Sequence, residues 1–194
     1  IISSITDRMS VYVLLPAATF GFYSLATTVG KSTSFLKTPL LRVFMPYLLS
    51  GRGDIAKKTI TVSFILCSVT MPTIVLLSIY CEWVFNYWIG PQSHNTILTA
   101  QIILAGTAFQ TSAAPLYYAL LSLNKIDEML RISMVVLICV LTGTFISAFW
   151  FGMVAVSAVW AVSNIFTFLI CYYMLTKSLA DPLLMIKAFV LILP

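Results

Sequence analysis

Long apolar runs alternate with short polar gaps along the whole chain, and the runs have the length of membrane helices. Ile1–Leu15 reads as part of a span and Pro16–Gly21 as a short uncharged turn. Phe22–Leu49 predicts one long helix carrying Pro39 and Pro46. Ser50–Lys58 is a polar basic loop, with Gly51 and Gly53 as helix stop and Asp54 as a candidate N-cap. Thr59–Tyr80 has about the 20 residues a bilayer crossing needs, with Pro72 as an expected kink. Glu82–Thr96 reads as a loop whose Trp83, Tyr87 and Trp88 suit a membrane–water interface. Ile97–Leu123 is the next span and Asn124–Arg131 the next basic loop. Ile132–Phe149 and Val154–Leu175 predict a hairpin joined through Trp150 and Gly152. Thr176–Lys187 is the last basic loop, and a partial span starts near Ile186.

The predicted fold is an all-α integral membrane protein, a polytopic helical bundle of five full spans and two partial ones. A β-barrel is excluded, because the apolar runs are too long and do not alternate. The chain opens inside an apolar stretch and closes on the short run Ala188–Leu193, so it is expected to be an internal piece of a larger transporter-sized protein.

Composition sharpens this. Hydrophobic residues make up 60% of the chain and charged residues 9%, where a soluble domain carries about a quarter charged. Mean hydropathy is +1.02. The net charge of +5 is spread over separate loops, which speaks against a nucleic-acid partner, since that needs a dense patch. Cys67, Cys81, Cys139 and Cys171 form no CxxC pair, so they read as packing residues. His94 is the only histidine and reads as a solvated loop residue. No metal site, cofactor or catalytic residue is expected.

The cations divide into two groups. Arg52, Lys57 and Lys58, then Lys125 and Arg131, then Lys177 and Lys187 occupy alternate gaps. Pro16–Gly21, Glu82–Thr96 and Phe149–Gly152 hold none. This is the positive-inside pattern, and it places the basic loops in the cytoplasm. Arg8, Lys31, Lys37 and Arg42 instead lie inside the first two apolar segments. A charge at that depth is costly in lipid and marks a cavity or a partner.

On a continuous helix over Phe22–Leu49, Ser24, Thr27, Thr28, Lys31, Ser34, Thr38 and Arg42 fall within roughly 60° of one line. Leu25, Val29, Leu36, Leu40 and Val43 lie opposite. A one-sided polar stripe fits a water-filled lumen, and its cations would attract an anion. The alternative is that Lys31 and Arg42 snorkel to opposite headgroup layers. Lys37 falls about 120° off the stripe, with Pro39 as a candidate source of a phase shift. Asp7 and Arg8 are adjacent, so they point about 100° apart and need not pair. Arg8, Lys31, Arg42, Ser24, Thr28 and Thr38 are the candidate substrate-binding residues, and Asp7 is the candidate ion-coupling residue. Ser157, Asn164 and Thr167 share one side of a later helix, and Gln101, Ala105, Ala108, Ser112 and Ala119 form a small-residue seam.

Several runs resemble a known family. Asp7-Arg8, followed by Phe20-Gly21-Phe22-Tyr23-Ser24-Leu25-Ala26, is similar to the "D-R … G-x-Y-x-L-A" passage of bacterial polysaccharide-biosynthesis flippases, within the multidrug/oligosaccharidyl-lipid/polysaccharide exporter superfamily. Pro46 to Gly53-Asp54 looks like the family's step into a cytoplasmic loop. Trp88-Ile89-Gly90-Pro91 resembles its outer "W-x-G" loop, and Pro115-Leu116-Tyr117 through Asn124-Lys125 its next inward helix. Gly152-Met153-Val154-Ala155 is similar to its "G-x-x-G-x-A" helix start, with Ala155 in place of the second Gly.

The resemblance implies two pseudo-symmetric bundles around a cationic cavity, this chain being most of the second. It implies a multi-pass protein of the bacterial inner membrane that moves a polyprenyl-diphosphate-linked oligosaccharide such as an O-antigen unit. Membrane lipids and a polysaccharide polymerase or chain-length protein are the implied partners. A multidrug or peptidoglycan-precursor exporter is the alternative within the superfamily. A membrane-embedded polymerase or glycosyltransferase would need paired carboxylates or a metal cluster facing a large loop domain, and the loops here are short.

Overall fold

A computed structural model describes Tyr12 and residues 16–49, 55–88 and 94–178. Every element among them is an α-helix. Helix α1 covers Ala17–Lys31, α2 Ser34–Leu49, α3 Ile55–Trp88, α4 His94–Ser122 and α5 Ile126–Ser178. Residues 50–54 and 89–93, the first apolar segment apart from Tyr12, and everything after Ser178 lie outside the described residues.

The local chemistry accounts for most boundaries. Pro16 starts α1, with its carbonyl accepting from Phe20 N–H at 3.0 Å, where a missing N–H and a fixed φ cost nothing. The helix expected over Phe22–Leu49 is interrupted at Ser32–Thr33. The ladder tightens there to short-range bonds: Ser32 N–H donates to Val29 O at 3.2 Å and Phe35 N–H to Ser32 O at 3.0 Å. Ser32 Oγ also donates to Val29 O at 2.7 Å, the back-bonding by which hydroxyls bend helices. Pro39, inside α2, is not the site of the break.

Helix α3 runs through the segment read as a loop, as far as Trp88. Cys81 and Phe85, one turn apart, are fully buried against Ala26 and Ala100, and that packing carries the helix on. Helix α4 closes with Asn124 at φ 59°. Asn124 N–H donates to Leu121 O and Lys125 N–H to Leu120 O, a Schellman cap. Within α5, Gly152 at φ 74°, ψ −162° breaks the helix into two arms. The arms fold back on each other, with a Cβ built on Gly143 only 2.9 Å from Val159 Cγ1 and Met129 clustered with Phe168, Cys171 and Leu175.

Helix α4 is the hub, packing on α1, α2, α3 and α5. Gln101 Nε2 donates to Ser78 O, and Cys67 lies 3.6 Å from Ser112, so α3 runs antiparallel to α4. Gly30 lies against Ile103 and Thr107, and Lys37 against Gln110, so α1 and α2 run parallel to it. Gly106 lies against Trp160 and Ala161, and Phe109 against Phe168. This topology gathers Lys57, Lys58, Lys125, Arg131 and Lys177 at one end of the bundle. Trp83, Tyr87, His94 and the Gly152 break lie at the other.

Beside an apolar core, the bundle buries several hydroxyls and exposes many large apolar side chains. Thr27, Thr59, Thr70, Thr99, Thr107, Thr144 and Ser157 are buried. Phe35 is 85% exposed, Tyr87 75% and Phe151 75%. The buried hydroxyls mostly bond backbone carbonyls three or four residues back, as Thr70 Oγ1 does to Leu66 O at 2.8 Å. Among the described residues, three helical stretches are long and apolar enough to cross a membrane: Ile55–Ile79, His94–Ser122 and Ile126–Ser178. Each arm of the last exceeds the ~20 residues one crossing takes.

Candidate functional site

The polar positions of α1 do not stay on one surface. Ser24 O accepts from Thr27 Oγ1 at 2.8 Å and from Thr28 Oγ1 at 2.9 Å. Thr27 is fully buried, Thr28 is exposed and Ser24 is half-buried. Thr107 Oγ1 donates to Gly30 O at 3.3 Å and to Ile103 O at 2.8 Å, which seals that side of α1 against α4. Gly30 is required there, because a Cβ would lie 2.5 Å from Ile103 Cγ2.

Past the break the phase changes. Lys37, off the stripe of a continuous helix, donates from Nζ to Gln110 Oε1 at 2.8 Å. Lys31 Nζ lies 5.1 Å from the centroid of the Trp160 ring, a cation–π contact worth about 0.5–2 kcal/mol according to its desolvation. In the intervening turn the Thr33 hydroxyl is buried without a hydrogen-bond partner. Thr38 and Arg42 are exposed on α2. The side chain of Ser34, like Asp7 and Arg8, lies outside the described residues. Leu36, assigned to the apolar side, is 40% exposed.

The height of this cluster matters. Gln110 is about 24 Å from the start of α4 and about 18 Å from its end, at 1.5 Å per residue. In a bundle that crosses a ~30 Å hydrocarbon core, a lysine tethered at that level would lie near the middle, beyond the reach of a snorkelling side chain. Lys31, Lys37, Gln110 and Trp160 therefore make a polar, doubly cationic patch at mid-height, where α1, α2, α4 and the second arm of α5 meet.

Sequence reasoning singled out Lys31 but neither Gln110 nor Trp160. Gln110 carried a usable signal, a carboxamide in the middle of an apolar run. Trp160 carried none, since an aromatic in a span is ordinary packing. The positions read as a second polar side are internally satisfied: Ser157 Oγ donates to Val154 O, Asn164 Nδ2 to Trp160 O and Thr167 Oγ1 to Ser163 O. In the small-residue seam, Gln101 and Ser112 face α3, while Ala105 is exposed. The four cysteines are free thiols, with Cys139 exposed and the others buried. Among the described residues no three His, Cys, Asp or Glu side chains come together. No family model, curated protein or solved structure matches this chain.

Proposed function

We propose that this protein is a membrane transporter of anionic, lipid-linked substrates, and that the mid-height patch holds the anionic group in transit. The observation that carries the reading is the placement of Lys37 on Gln110 and of Lys31 on Trp160 at mid-height of an apolar bundle, on a face open at Gln110. Two cations held at mid-depth are costly in lipid. A multivalent anion between them offsets that cost by charge-assisted hydrogen bonds. The resemblance of the loop motifs to polysaccharide flippases makes a polyprenyl-diphosphate-linked oligosaccharide the substrate class. Rocking of this bundle against a second would alternate access to the site. In this reading the protein lies in a bacterial inner membrane with its basic end in the cytoplasm.

A cationic-drug exporter would require carboxylates at this level. Of the six acids of the chain, Glu82, Asp127 and Glu128 lie near helix ends, Asp54 and Asp181 in the basic loops, and only Asp7 within an apolar segment. The test is complementation. Full-length protein carrying Lys31→Gln, Lys37→Gln or both is expressed in a strain whose surface polysaccharide depends on it. The reading expects loss of polysaccharide at normal protein levels, with Lys31→Arg retaining more activity than Lys31→Gln. Full polysaccharide in the double variant overturns it.

A further inference from the structure

We propose that the outer face of the α5 hairpin is a binding site for an anionic phospholipid, distinct from the translocation site. Between the two arms runs a groove of about 480 Å³, within the range of specific ligand sites. Val135 and Cys139 form one wall and Val162, Phe166 and Ile170 the other. Its lining is almost wholly apolar, Ser163 being the one polar side chain, and that hydroxyl is bound to Trp160 O.

Charge identifies the occupant. Following the groove rows toward the basic end, the next exposed position on the first arm is Arg131, one turn below Val135. On the second arm the row Phe166, Ile170, Tyr173, Lys177 keeps helical spacing, so Lys177 lies in line with the groove. Both cations are exposed, and Tyr173 between groove and charge is 66% exposed. The ion pair of this turn, Lys125 Nζ to Glu128 Oε1 at 2.9 Å, leaves Arg131 out. The groove from Ala158 to Ile170 is about 18 Å long and centred on the mid-height of the arm. An apolar slot of acyl-chain length that ends in an aromatic hydroxyl and two cations complements an anionic glycerophospholipid. The chain fills the slot, the tyrosine sits at the ester level, and Arg131 and Lys177 take the phosphate. This inference rests on the membrane reading of α5 and not on the transport reading.

The full-length protein is reconstituted in phosphatidylcholine vesicles doped with phosphatidylglycerol carrying a photoactivatable group in its acyl chain. A matched phosphatidylcholine probe serves as reference. Cross-links are mapped by mass spectrometry. The expected result is attachment at Cys139, Val162 or Phe166, with roughly 30-fold preference for the anionic probe from two interfacial cations. Arg131→Gln with Lys177→Gln should bring the two probes to parity, and Arg131→Lys with Lys177→Arg should keep the preference. Unchanged thermal unfolding of the Gln pair separates lipid contact from misfolding. Equal yields from both probes in the unaltered protein overturn the proposal. So does a groove that neither probe reaches, which would mean that protein covers it.

Discussion

Lys37 Nζ and Gln110 Oε1, 73 positions apart in the chain, meet at 2.8 Å across the interface of α2 and α4. The contact fixes the register of the second half of a broken helix against the hub of the bundle. It also puts a charge at mid-height that a continuous helix would have turned away from the other cations.

Lys37→Gln should therefore impair transport about as strongly as Lys31→Gln. Each removes one charge-assisted interaction, worth roughly 1.5–3 kcal/mol, or about ten- to a hundredfold in affinity. Gln110→Leu should do less to affinity, because it leaves both charges in place. Substrate-dependent complementation at matched protein level measures all three. A Lys37→Gln strain indistinguishable from the parent would remove Lys37 from the site.

Gly152→Ala should destabilise the protein by about 1–3 kcal/mol, because φ 74° with ψ −162° is a conformation only glycine adopts without strain. Gly21→Ala is the control. It is helical, a Cβ there meets nothing within 4 Å, and the change should be neutral or stabilise by up to about 1 kcal/mol. Thermal unfolding in detergent reads both. Equal stability of the two variants would mean that the Gly152 break is not needed for the hairpin.

Gly106→Ala should cost roughly 1–3 kcal/mol by overpacking. The added carbon would lie 2.7 Å from Trp160 Cζ3 and 2.9 Å from Ala161 Cα, and the backbone atom cannot give way as a side chain can. Because Trp160 also faces Lys31, transport should fall further than stability alone explains. Unchanged unfolding of the Gly106→Ala protein would show that α4 and α5 separate freely here.

Topology can be read from two exposed positions at opposite ends of the bundle. In a background lacking Cys67, Cys81, Cys139 and Cys171, His94→Cys should react with an impermeant thiol reagent added to intact cells. Asp127→Cys should react only after permeabilisation. The opposite pattern would invert the orientation expected from the basic loops.

Much of this molecule was legible in the sequence. Apolar runs longer than a strand specify helices, because buried backbone in an apolar medium must satisfy its own hydrogen bonds. Gly152 between Trp150 and Val154 marked the hairpin turn, since glycine alone tolerates positive φ at little cost. What composition and periodicity could not supply was phase and partnership. The Ser32–Thr33 break depends on a side chain back-bonding to Val29 O and on α1 being pinned by Thr107 at Gly30. The persistence of α3 to Trp88 depends on Cys81 and Phe85 finding Ala26 and Ala100. The Ser32 bond is local, but the Thr107–Gly30 contact and the Cys81 and Phe85 packing join residues far apart in the chain, and no local pattern encodes them. Sequence alone thus determined that cations lie within apolar helices. Only the tertiary structure decided that Lys37 meets Gln110 and Lys31 meets Trp160 at mid-height, because a change of helical phase moves a side chain from one neighbour to another, and packing against α4 sets that phase.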